Sequence, residues 1–213
     1  MTMEQAIANV RPLADTIWAS LVPLRGEYAR PRLLFVGAEP RAGTTLICAA
    51  TAIGLARHLS TEISLVEATL QRPAVADYLG VPRGPGLSDV LDRRSTLEQA
   101  RQRHPKYHDL LIIPAGSPRP PIPGEFATEE GRAILREITS RGSFVLFDAP
   151  PLQSHAETRL LLEHVDAVVL VLRARSTRSS AVKEVQRILG TTGTPIVGTV
   201  LNRYKSDMPF SND

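Results

Sequence analysis

The chain has a single cysteine, Cys48, among its 213 residues. One thiol cannot form an intramolecular disulfide, so nothing points to an oxidising compartment and a cytoplasmic location is expected. No apolar run approaches the 18 or so residues that a membrane span needs, the longest being Ala167 to Leu172. Met1 to Ser20 lacks the basic-then-apolar layout of a signal peptide, so recruitment to a membrane would need a partner. Lysine is scarce: Lys106, Lys183 and Lys205 are the only ones, and none precedes Lys106. The net charge of +3 is carried by arginines interspersed with acids, with no basic block, so a nucleic-acid partner is not expected. The five histidines show no metal-ligand spacing supported by cysteine. Internal repeats and low-complexity tracts are also missing.

A composition of 43% hydrophobic and 22% charged residues is that of an ordinary globular chain. A chain of this size buries roughly 70% of its extended surface, enough for a core without staples. Short β-branched and apolar runs predict strands at Arg32 to Gly37, Glu62 to Glu67, Asp109 to Pro114, Phe144 to Asp148, Ala167 to Leu172 and Pro195 to Leu201. Apolar residues at three- and four-residue spacing predict helices at Thr45 to Leu59, Glu129 to Ser140, Ala156 to Leu162 and Ser179 to Leu189. Strand alternating with helix implies an α/β fold, a mostly parallel sheet with helices on both faces. We expect one domain over 1–213, with 1–30 as a helical arm and 203–213 as a short tail. Within the arm, Trp18 with Ile17, Leu21 and Leu24 reads as one apolar helix face. The proline-rich stretch Arg83 to Gly124 reads as surface loops flanking one strand.

Gly37-Ala38-Glu39-Pro40-Arg41-Ala42-Gly43-Thr44-Thr45 lies between the first strand and a long helix, where α/β proteins place a phosphate loop. Such a loop needs small residues so that backbone N–H groups can curl around phosphates, a lysine for the outer phosphates, and a hydroxyl for Mg²⁺. Pro40, Gly43 and Thr45 fit, but Thr44 stands at the lysine position and Arg41 where glycine is usual. The lost charge is not a small edit, since two unit charges about 3.5 Å apart interact by roughly 5 kcal/mol at an effective dielectric of about 20. Arg41 is the nearest candidate to restore it. Asp148, ending a buried apolar run, is placed to hold Mg²⁺ or its water, or to cap the turn beside Pro150.

Taken with these motifs, the chain resembles the bacterial tyrosine kinases of capsule and exopolysaccharide export, which group with the MinD and ParA type of deviant P-loop ATPases. The resemblance spans about residues 32 to 204. Its loop pattern survives as Pro40, Gly43 and Thr45, with the first glycine, the glutamate and the lysine replaced by Arg41, Ala42 and Thr44. The acidic pair that the family uses for Mg²⁺ and general-base work corresponds to Glu67 and Thr69, followed by an intact Arg72-Pro73. A threonine cannot act as a base at neutral pH. Gly86-Leu87-Ser88-Asp89-Val90-Leu91 and Asp148-Ala149-Pro150-Pro151 match well, the latter most specifically. The resemblance implies nucleotide contacts from Pro40, Arg41, Gly43, Thr44, Thr45 and Asn202, with Asn202 facing the base. It also implies Mg²⁺ contacts from Thr45, Glu67 and Asp148. The tyrosine-rich tail and the N-terminal Glu-x-x-Arg-x-x-Arg motif of the family are missing from this sequence, and Tyr204 is expected to pack at a strand end.

The expected function is that of a cytosolic pseudo-kinase that regulates or scaffolds polysaccharide biosynthesis or export, with hydrolysis impaired or absent. ATP or ADP with Mg²⁺, or no ligand at all, would occupy the site. Its partner would be an inner-membrane co-polymerase or activator, with homo-oligomers possible. The alternatives are an active ATPase or tyrosine autokinase compensated by Arg41 and Glu67, and a ParA- or MinD-like regulatory ATPase. A dinucleotide oxidoreductase fits less well, because the glycine spacing departs from Gly-x-Gly-x-x-Gly.

Overall fold

A computed structural model describes residues 30–204 continuously and, before them, residues 5, 7, 12, 15–17, 19–21, 26 and 28. The apolar runs form β1 (Arg32–Gly37), β2 (Ile63–Glu67), β4 (Leu110–Ile113), β5 (Phe144–Ala149), β6 (Ala167–Arg173) and β7 (Ile196–Asn202). With β3 (Gln102–Arg103) they make one seven-stranded sheet in the order β3-β4-β2-β5-β1-β6-β7. Every pairing is parallel except that of β3 on β4.

Side chains alternate across each strand, so each strand feeds two core layers. Leu34 and Val36, Val145 and Phe147, and Val168 and Leu170 enter one layer. Leu33 and Phe35, Phe144 and Leu146, and Val169 and Val171 enter the other. The first layer is covered by α5 (Glu129–Thr139) through Leu135 and Ile138, by α6 (Ala156–Leu160) through Leu160, and by α7 (Ser179–Thr192) through Val185, Ile188 and Leu189. The second is covered by α1 (Thr44–His58), whose Ala49, Ala52 and Cys48 are fully buried and let the helix lie close on the sheet. Ile17 and Leu21 are buried in that layer too, whereas Trp18 and Leu24 lie outside the described residues.

Three short helices depart from the sequence expectation: α2 (Val75–Leu79), α3 (Leu87–Leu91) and α4 (Leu97–Ala100). Elements of four or five residues span little more than one turn, too few to display a helical period. The stretch from Arg83 to Gly124 is therefore not merely a surface loop, since Leu87, Ser88, Asp89 and Ala100 are buried. Asp89 accepts hydrogen bonds from the N–H of Gly86 and from both the N–H and hydroxyl of Ser117, tying two loops together. Tyr204 is also corrected: it is 66% exposed, because it follows β7, the edge strand of the sheet formed by the described residues.

In this topology β1 lies between β5 and β6, and its chain leaves toward β2 on the far side of β5. Strand order thus reverses at β1, which places a ligand crevice at the carboxyl ends of β1 and β5. In register there, Glu67 pairs with Asp148 and Asp148 with Phe35, two residues before Gly37.

Candidate nucleotide-binding site

Residues 38–43 turn from β1 into α1 by way of two left-handed residues, Arg41 (φ 64°) and Gly43 (φ 90°). Glycine adopts this conformation freely, but for arginine it costs about 1–2 kcal/mol. The loop thus keeps its curl although the glycine is gone. Gly37 is also required: a Cβ there would lie 2.8 Å from the Glu39 carbonyl and 2.9 Å from the Thr44 hydroxyl.

The loop is held by neighbours on several elements. Asn202 Nδ2 donates to the Ala42 carbonyl at 2.8 Å. Gln153 Nε2 donates to the Ala38 carbonyl at 2.8 Å and to the Ala181 carbonyl at 3.0 Å. Glu39 accepts from the Arg178 N–H and from its Nε at 2.9 Å, and that cation holds the Glu39 carboxyl below its ordinary value. α1 begins with no side-chain cap and no acid in its first turn, so its positive dipole end and free N–H groups are left for an anion.

Thr45 and Asp148 are brought together, the threonine hydroxyl donating to Asp148 Oδ2 at 2.8 Å. Asp148 is fully buried, and its Oδ1 has no hydrogen-bond partner among the described residues. Burial first, then the adjacent Glu67 charge, pushes the Asp148 carboxyl up to about 8. The Thr45 hydroxyl, and that of Thr69 from outside the geometry of a formed hydrogen bond, pull the other way. A buried, unpartnered carboxylate oxygen beside a hydroxyl is a donor pair suited to a hard cation such as Mg²⁺.

Glu67 is placed differently. Its Oε1 accepts from the N–H groups of Ala74 and Val75, and its Oε2 accepts from the N–H of Ala115 at 3.0 Å. Both oxygens are committed to backbone, capping α2 and tying the β2 and β4 ends together. Burial raises its carboxyl, and the three N–H groups offset part of that rise. Thr45 and Asp148 therefore fit a divalent ion, and Glu67 fits a structural role. Asn202 likewise turns toward the loop, its Oδ1 accepting from the Arg203 N–H at 2.8 Å. Cys48 is buried behind the site, and its thiol is pushed well up by burial, then by Asp148 and Glu67, which makes it unreactive.

In front of the loop lies a cleft of about 530 Å³. Pro40, Arg41, Gly43, Thr44 and Thr45 line it on one side, and Arg72, Tyr78, Phe126 and His155 are among the residues lining the rest. The sequence motifs singled out the loop, Thr45 and Asp148. They gave no signal for Gln153 or for the Glu39–Arg178 pair, whose partners are distant in sequence, and none for the tether role of Asn202.

A mostly parallel sheet with this strand order, a glycine-bearing loop leading into α1 and a buried aspartate on the adjacent strand are the fold of the deviant P-loop ATPases. The chain's homologues are bacterial tyrosine-protein kinases. It is 26% identical to tyrosine-protein kinase YwqD of Bacillus subtilis (strain 168), over 81% of this chain and 72% of that one. It is 24% identical to the putative tyrosine-protein kinase CapB of Staphylococcus aureus, over 82% and 76%. Among solved structures, the chimerical protein CapA2B2 superposes with a TM-score of 0.82 at 21% identity, over 91% of this chain and 84% of that one. The VpsO kinase domain gives 0.80 at 25% identity, over 92% and 96%. MinD of Pyrococcus horikoshii, complexed with Mg-ADP, gives 0.68 at 20% identity, over 84% and 72%. No family model matches the chain.

Proposed function

We propose that the chain is a nucleotide-binding relative of the tyrosine kinases with impaired phosphotransfer, acting by binding to regulate or scaffold a polysaccharide assembly or export machine. The observation that carries this reading is the commitment of Glu67. The acid nearest to Asp148 spends both oxygens on backbone N–H groups, and Thr69, at the second acidic position, has no base to offer. Binding elements persist alongside this loss: the curled loop, the uncapped start of α1 and the Thr45–Asp148 pair. ATP or ADP would place its phosphates on the loop N–H groups. Mg²⁺, when bound, would neutralise phosphate charge beside Thr45 and Asp148.

The resemblance to export kinases supports a cytoplasmic location and an inner-membrane co-polymerase or activator as partner, with self-association as a further possibility. No helix among the described residues is long and apolar enough to cross a membrane, so such a partner would supply the anchor. Calorimetric titration of ADP and ATP, with Mg²⁺ or with EDTA, into wild type and Asp148→Ala tests the reading, together with phosphate release and phosphotyrosine formation. Micromolar, Mg²⁺-dependent binding that weakens in Asp148→Ala, with turnover no greater than in that variant, supports it. Kinase-level turnover abolished by Asp148→Ala overturns it in favour of an active enzyme.

A further inference from the structure

Most arginines among the described residues are neutralised: Arg32 by Asp166, Arg83 by Asp77, Arg119 by Glu125 and Asp92, Arg187 by Glu184. Arg41, Arg72, Arg173 and Arg203 are different, since their side chains make neither ion pair nor hydrogen bond among the described residues. All four follow or end strands at the carboxyl edge of the sheet: β1, β2, β6 and β7 respectively. Arg41 and Arg72 also line the same cleft, one from the loop after β1 and the other from the loop after β2. Both side chains thus border the same space of about 530 Å³.

Glu39 and Glu125, which also line the cleft, are paired with Arg178 and Arg119, and Glu157 is the one further carboxylate among the described lining residues, so the two guanidinium groups leave an excess of positive charge that an anion would neutralise. With Thr44 at the lysine position, no lysine is among the described residues lining the cleft, and arginine supplies cationic lining there.

We infer that Arg41 and Arg72 form a clamp on the terminal phosphate of a nucleoside triphosphate, together supplying the charge that a loop lysine would bring. The inference rests on the nucleotide-binding reading above. Each guanidinium can donate two parallel N–H bonds to phosphate oxygens, a geometry lysine lacks. The loop N–H groups hold the inner phosphates of ADP and ATP alike, whereas the clamp meets only the outermost phosphate. The site therefore discriminates triphosphate from diphosphate.

Calorimetry with Mg²⁺-ATP and Mg²⁺-ADP at fixed ionic strength tests this in wild type, Arg41→Gly, Arg72→Gln and the charge control Arg187→Gln. Glycine relaxes the left-handed position, so Arg41→Gly keeps its fold, which its thermal midpoint verifies. Wild type and Arg187→Gln are expected to prefer ATP by about tenfold, and each clamp variant to lose about tenfold for ATP and less than twofold for ADP. Binding that persists with an unchanged ATP/ADP ratio in the clamp variants overturns the clamp and leaves the nucleotide reading standing. Wild type that binds neither nucleotide at millimolar concentration overturns both.

Discussion

At the scale of single residues, two adjacent buried carboxylates have separate duties. Glu67 is a backbone clasp whose partners are the start of α2 and the loop after β4. Replacing it by glutamine puts an amide N–H₂ against at least one backbone N–H, leaving a buried donor unpaired at a cost of about 1–3 kcal/mol. Glu67→Gln should therefore lower the denaturation midpoint. The folded fraction should bind Mg²⁺-nucleotide no more weakly than wild type, because the change also removes the charge that disfavours ionised Asp148. Denaturant titration paired with calorimetry checks both. A protein of undiminished stability that loses Mg²⁺-dependent binding would instead make Glu67 a metal ligand.

At the scale of elements, the loop between β1 and α1 is shaped by what surrounds it. Gln153 bridges it to α7 through two carbonyls, a link that runs from the end of β5 across the loop. Gln153→Ala should cost about 1 kcal/mol and act locally. Amide hydrogen exchange at residues 38–45 should accelerate while β1 and β5 stay protected, and nucleotide affinity should fall several-fold. Uniform acceleration across the sheet would mean that Gln153 supports the whole fold and not the loop. These elements also show how much a sequence discloses. The long strands were legible because burial on both faces writes continuous apolar runs such as Val168 to Leu172, and α5 and α7 because they are long enough to repeat. α2, α3 and α4 were not, since at four or five residues they are too short to repeat a period of about 3.6 residues. Thr45 and Asp148 were legible as motif residues, whereas the use made of Glu67 depends on Ala115, which arrives on the loop after β4.

At the scale of the whole molecule, the raised Asp148 carboxyl links pH to stability. A group held near 8 in the folded state, against an ordinary carboxylate value near 4, contributes stability that is complete below about pH 4 and lost as pH rises toward 8. Glu67, also raised, adds to the same slope, while the lowered carboxyls of Asp89, Glu39 and Glu184 act oppositely in acid. In EDTA the thermal midpoint should peak in mildly acidic solution, decline toward pH 8 and level off above it. Asp148→Asn should flatten most of that decline, and a parallel curve for the variant would place the charge penalty elsewhere. The tether from Asn202 has a consequence in time as well. The loop near residue 40 is synthesised well before β7, the strand that carries one of its clasps, Asn202 lying 160 residues after Ala42. A growing chain therefore carries this loop without that clasp until β7 has docked, and the nucleotide capture proposed above would report that docking.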